Sequence, residues 1–298
     1  MGNIQNLNSL IRISSGNDSG KPDNLFFQKV SSVSGNISTA PSGALGGHPI
    51  SCWRYDGFPC GNLSSIPASG EIPTSATIGA MRFSGADNGF ERYITQIATI
   101  PAGINAVQGG TVILYDRLYH RGLLSATSTA EQVFTSIALT RNTSGRGNFA
   151  FFEIAPSDTN NQIAQIGTTQ VTATVEYINS QGQTCSSITW IGGTNYREAD
   201  RVIFLGTSGL YNGIRAVNKL RLGATTGAVT AGGTFNFVIG KPLAIMTMKA
   251  TTSPGWRDFV TGLPGLPKID NDACLTFIMF NTTTGLHGFI GMATTVQD

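Results

Sequence analysis

The chain has 298 residues, 12% of them charged, with a formal net charge of +2. That charged fraction is about half the roughly 25% of an ordinary soluble domain, and so small a net charge excludes a global field for nucleic acid or an anionic membrane. No run reaches the roughly 18 to 20 apolar residues of a membrane span. With 37 glycines and many Ser, Thr and Asn, the polar surface is built from hydroxyls and amides. Such a surface suits a permanent assembly, because charge at the buried centre of an interface is costly to desolvate; the alternative is a β-rich monomer with long polar loops.

In chain order, residues 1–10 (MGNIQNLNSL) carry neither the basic start nor the apolar core of a secretory signal, and Asn6 breaks a myristoylation pattern. Assembly in a host cytoplasm is the expectation. Residues 1–50 are rich in Ser, Gly and Asn and too poor in bulky apolar groups to offset their own ordering entropy. They are expected to form either a disordered tail or an extended arm that orders against a neighbouring subunit, with the apolar patch LFFQKV at 25–30 able to dock. Residues 51–89 form a loop-rich bridge punctuated by Asp56-Gly57, Pro59, Pro67 and Pro73. Its aromatics, Trp53, Tyr55 and Phe58, are read as loop anchors before a ligand surface. Cys52 and Cys60 could close a small loop disulfide, but their spacing is not that of a zinc knuckle, and free thiols are expected at all four cysteines, Cys185 and Cys274 included. His48, His120 and His287 have no helical i, i+4 relation, so no metal is expected.

From residue 90 to 298 the pattern is β. The densest part is 109–154, with extended runs at 111–118, 133–141 and 148–154. Others fall at 93–100, 170–178, 186–191, 201–205, 213–222, 234–239, 243–249, 275–280 and 288–294. Helix is expected at most as single turns, one near a capping box before Glu131 and one at 256–260. Short strands at this density predict an all-β fold, a β-sandwich or jelly roll with an extended polar N-terminal arm.

Motifs for chemistry are absent. Gly206-Thr207-Ser208-Gly209 misses the spacing of a nucleophile elbow. Gly240-Lys241 runs into Pro242, so it reads as a strand-ending turn, not a phosphate loop. A glycosidase needs two facing carboxylates; Asp116 with Glu153 or Asp200 could be formed, but nothing singles that pair out. Asp116, with Arg117 and His120 close by in LYDRLYH, is read as an ion pair fixing the exit of its strand. Arg141 and Arg146 in RNTSGR read as a solvated turn, and the N-x-S/T strings at Asn17, Asn36, Asn62, Asn142 and Asn281 as composition. No catalytic, cofactor-binding or metal-binding residue is assigned.

The run GGTVILYDRLYHRGLLSATSTAEQVFTSIALTR resembles a segment of virion structural proteins of tailed bacteriophages, where a strand ending LYDRL precedes a hydroxyl-rich loop. The stretches ATVEYINSQGQT and READRVIFLGTSGLYNGIRAVNKLRLGATTGAVTAGGTFNFVIGKPLA are similar to the same group. The resemblance covers residues 93–242 and implies a β-sandwich attached to the phage head or neck, with no enzymatic residue to carry over. The expectation is a capsid-associated decoration or cement protein, not an enzyme and without cofactor. It would sit in the virion against the major capsid protein and sister copies of itself, as a homo-oligomer with a trimer the guess. The rivals are a host-recognition fibre or spike binding a surface glycan through Trp53, Tyr55, Trp190 or Trp256, a virion-borne glycan hydrolase, and a minor capsid or neck component.

Overall fold

The computed structural model describes residues 7–14, 21–30, 48–102, 110–135, 137–155, 166–193, 199–207, 213–227, 233–248, 254–260, 265–281 and 288–298. In chain order its elements are α1 (Leu7–Ser14), β1 (Asp23–Val30), β2 (Pro49–Ser51), β3 (Asp56–Phe58), β4 (Arg92–Ala102), β5 (Gly110–Ser125), β6 (Gln132–Val133), β7 (Phe149–Ile154) and β8 (Val171–Asn179). They continue with β9 (Thr184–Ile191), β10 (Val202–Phe204), β11 (Ile214–Leu222), β12 (Thr234–Met248), β13 (Gly255–Asp258), β14 (Lys268–Ile269), β15 (Leu275–Asn281) and β16 (Gly288–Gln297). The fold is all-β, an arrangement of antiparallel sheets packed as sandwiches.

Three sheets form. A spine sheet runs β10-β7-β12-β5-β15-β2; a terminal sheet runs β13-β4-β16-β1-β3, with β14 also on β4; a small sheet runs β6-β11-β8-β9. The spine is stepped. β5 and β12 pair along their whole lengths, but β7 meets only Phe235–Gly240 of β12 and β15 only Gly110–Asp116 of β5. The small sheet closes one core on the β7 half, where Leu124, Phe152, Phe235 and Phe237 meet Ala173, Val175, Tyr177 and Leu220. The terminal sheet closes a second on the β15 half, where Val112, Leu114, Met246 and Phe277 meet Phe27, Ile94, Ile97 and Phe289. Two sandwiches thus share two long strands.

The local reasons are legible. β8 alternates buried and less buried positions along QVTATVEYI, as a strand with one face on a core must. β5 departs from alternation: residues 114–120 are buried without a break. Both of its faces are covered there, at the waist between the two cores. Pairing slips between Ile239 and Gly240 and again between Pro242 and Ala244 of β12, so irregular register marks the same level.

Several expectations are corrected. The run expected to end at residue 118 stays extended to Ser125. The expected turn at Gly240-Lys241-Pro242 is continuous strand. Proline is tolerated because β7 has already stopped at Gly240, so no β7 carbonyl waits for the missing N–H. Gly240 is required by close approach: a Cβ would lie 2.6 Å from Cδ2 of Tyr115. The 133–141 run gives only the two-residue β6, and no helical turn forms before it. There the Gln132 side chain caps β5 instead, accepting from Ser125 N at 2.7 Å and donating to Ser125 O at 2.9 Å. The turn expected at 256–260 is strand β13 on the edge of the terminal sheet.

The N-terminal patch docks in its own chain. β1 lies between β16 and β3, with Phe27 opposite Gly291 and Gln28 opposite Phe58, so residues 23–30 belong to the body and not to a separate arm. Residues 1–6, 15–20 and 31–47 of that expected arm lie outside the described residues. α1 was not anticipated by the sequence reading. Pro49 and Ile50, the end of that expected arm, pair with β15 together with Ser51, and the bridge is pinned likewise, with Met81 bridged to Leu275.

Candidate functional site

The chemically equipped place in the molecule is the waist of β5. Arg117 is wholly buried there, and every nitrogen of its guanidinium is used. Nη2 donates to Glu153 Oε2 at 2.8 Å and Nη1 to Glu153 Oε1 and to the Tyr115 hydroxyl, both at 3.2 Å. Nε donates to His120 Nδ1 at 2.9 Å, and the plane lies 4.6 Å from the centroid of the Trp53 ring. Because His120 accepts at Nδ1, its proton sits on Nε2, which donates to Glu71 Oε1 at 2.6 Å. The imidazole is therefore neutral, in line with a pKa lowered to about 4 by burial and by Arg117. Burial alone would push Glu153 up; Arg117 overrides it and holds the carboxyl at about 2.

A second pair lies one residue away. Arg141 donates from Nε to Asp116 Oδ2 at 2.9 Å and from Nη2 to Oδ1 at 3.0 Å, and Nη2 also reaches the carbonyls of Pro73 and Arg117. Burial raises the Asp116 carboxyl, and Arg141 together with the Cys274 amide, 2.8 Å from Oδ1, counters it. Asp116 is thus an ion pair, as expected, but mid-strand and with Arg141 as partner. Arg141 is correspondingly not a solvated turn residue, while Arg146 is exposed.

The bridge plugs this waist. Glu71 and His120 exchange backbone hydrogen bonds at 2.9 and 3.0 Å, and Gly122 N reaches Pro67 O at 3.0 Å, which covers the edge of β5 that β15 leaves bare. Gly70 permits it: φ is +77° and a Cβ would fall 2.2 Å from the Tyr119 hydroxyl oxygen. Glu71 has 44% of its side chain exposed, in contrast to its fully buried partner His120.

Asp200 is different. It is fully buried, neither carboxylate oxygen has a hydrogen-bond partner among the described residues, and Arg54 Nε stands 4.0 Å from Oδ1. Burial pushes it up to about 7, with Glu153 adding to the shift and Arg54 and Arg117 opposing it. Its backbone is held from both sides, Asp200 N by Ile154 O and Asp200 O by Ser51 N, at φ +61°.

Of the carboxylates that the sequence allowed as a pair, Asp116, Glu153 and Asp200 all lie in this region with at most 2% exposure. Arg117 occupies one and Arg141 another, so they face guanidinium groups and not a cleft. Sequence reasoning missed Glu71, the neutral His120 bridging it to Arg117, and Arg141; the only available signal was the Asp-Arg-x-x-His-Arg string inside strand β5. Among the described residues no group of three His, Cys, Asp or Glu could hold a metal ion, and all four cysteines are free thiols. Of the aromatics proposed for a ligand, Trp53 and Tyr55 are buried anchors, while Phe58, Trp190 and Trp256 are exposed.

No protein-family model matches the chain. No curated protein matches it. Among solved structures, the VP2 subviral particle of infectious bursal disease virus aligns over 94% of this chain and 81% of that one, at 9% identity and a TM-score of 0.21. T=1 particles derived from the same virus align over 94% and 78%, at 9% identity and a TM-score of 0.19. Superpositions of this quality do not relate individual strands or side chains.

Proposed function

We propose that the chain is a non-enzymatic structural protein of a virion, a capsid-associated decoration or cement protein that stabilises a particle through contacts between subunits. The observation that carries this reading is where the ionisable groups lie. Arg117, Glu153, Asp116 and Arg141 are locked as buried struts where two sandwiches join, which suits a rigid body under load better than a site that must admit substrate. The segments that resemble phage virion proteins include β5 and the first part of β12, the two strands both cores share. The test is gradient fractionation of virus particles from cells producing the chain, followed by heating of particles with and without it. Stoichiometric co-migration, and genome release at lower temperature when it is missing, are expected. A chain that stays with the soluble fraction rejects the proposal.

Host recognition is the second reading, favoured by Trp256, 66% exposed beside a groove of about 420 Å³ lined by Ile245, Thr247, Pro254 and Arg257. A glycan array probed with the full chain and with Trp256→Ala decides it: specific binding lost in the variant supports this reading, and an empty array removes it.

A further inference from the structure

The outward face of the terminal sheet carries an apolar stripe that runs across its strands. In register, Trp256 lies opposite Ala98, Ala98 opposite Met292, and Met292 opposite Phe26. Phe26 is 6.3 Å from Phe58 by ring centroids, and Ile100 lies opposite Ile290 two residues along. Directly opposed residues share a face, so these form one surface. Trp256, Phe58, Phe26, Met292 and Ile100 are 66, 58, 49, 47 and 40% exposed. The other outward positions of the three central strands, Gln96, Thr294, Asn24 and Gln28, are uncharged.

The small sheet supplies a comparison within the same molecule. Its outward face also exposes Ile188 and Trp190, at 68 and 54%, but sets them among Glu176, Lys219 and Arg221, with Lys219 paired to Glu131 at 3.0 Å and to Glu176 at 3.7 Å. The stripe has no such groups. Taking about 150–250 Å² for a whole large side chain, its five exposed members offer about 500 Å² of apolar surface. This approaches the roughly 800 Å² per partner of a stable interface; the charges on this face, Asp258 opposite Gln96 and Asp56 opposite Val30, lie on its edge strands, and a charge-depleted centre within a polar rim is what such interfaces have.

We infer that the outward face of the terminal sheet is the contact surface for a second copy of this chain, sheet against sheet. A face whose centre is apolar and uncharged can meet its own copy without burying an unpaired charge. Two sheets stack with strands within about 30° of one another, so a two-fold axis in the plane between them lays one stripe along the other. This rests on the proposed structural role and names the surface through which copies would meet.

The test is sedimentation velocity of the full chain from about 1 to 100 μM, on wild type, on the triple variant Phe26→Thr/Trp256→Thr/Met292→Thr, and on Ile188→Thr/Trp190→Thr on the small sheet. Threonine suits a strand and all five positions are exposed. Concentration-dependent association is expected for wild type and the small-sheet variant, weakened at least 100-fold in the triple variant with an unchanged melting temperature. If the triple variant does not fold, Met292→Thr alone at the stripe's centre makes the same comparison. Association that survives the stripe variants, that only the small-sheet variant abolishes, or a wild type monomeric throughout overturns the inference. Particle fractionation reads the structural role separately, so a protein that joins particles through another face fails here alone.

Discussion

Arg117 and Glu153 illustrate a buried pair whose value lies in not being broken. Removing one partner of such a pair leaves an uncompensated charge and costs about 3–5 kcal/mol, whereas replacing both by apolar groups of similar volume is often neutral. Arg117→Met should therefore lower unfolding free energy in urea by that amount, and Arg117→Met/Glu153→Leu should recover much of it. A double variant as unstable as the single one would mean that the guanidinium acts mainly through Tyr115, His120 and Trp53. Asp200 and His120 make opposite contributions to the pH dependence. His120, lowered to about 4, binds its proton more readily once unfolded, so it makes stability rise with pH between about 4 and 6.5. Asp200, raised to about 7, holds its proton longer in the folded chain, so it makes stability fall as pH climbs from about 3.8 to 7. The two nearly cancel between pH 4 and 6.5. Asp200→Asn removes the opposing slope: its unfolding free energy should climb more steeply than that of wild type through that window and exceed wild type at pH 8 by about 1–3 kcal/mol. Parallel wild-type and variant profiles would show that Asp200 is not held protonated.

Among the elements, β12 is the one whose sequence most misleads. Gly240-Lys241-Pro242 has the chemistry of a turn, and only the pairing of its neighbours makes it strand: β7 ends where the proline begins, and the Tyr115 ring lies where a Cβ would be. Neither fact is local, so neither is readable from the string. Strands with one buried face were legible, β8 above all, because alternation is written into it. β1 was visible as an apolar patch, but its partner β16 lies more than two hundred residues later. Charged residues on β5 were noticed; that Arg141, across an irregular loop, would pair with Asp116 had no signal in spacing. The element-level prediction is Gly240→Ala. It forces the added methyl into Tyr115 and should cost about 1–3 kcal/mol, with hydrogen exchange speeding first at 114–120 and 238–241. Unchanged protection there would mean that the waist absorbs the methyl.

At the scale of the molecule, the decisive feature is that neither sandwich owns its sheet. β5 and β12 contribute Leu124, Phe235 and Phe237 to one core and Val112, Leu114 and Met246 to the other, and the bulged segment between carries the ion pairs. A chain with two separable domains would lose one core while keeping the other. Here, melting the small-sheet core strips β5 and β12 of half their packing and opens the buried charges at the waist to water. Phe152→Ala in one core and Phe277→Ala in the other should each cost about 3–5 kcal/mol, and each should shift a single common transition. The measurement is calorimetry of both variants beside wild type, with near-ultraviolet dichroism as a second probe. Two resolved transitions, with each variant moving only its own, would show that the shared strands tie the two cores geometrically but not energetically. One transition moved by either variant would mean that load applied at either sandwich is carried by the whole body.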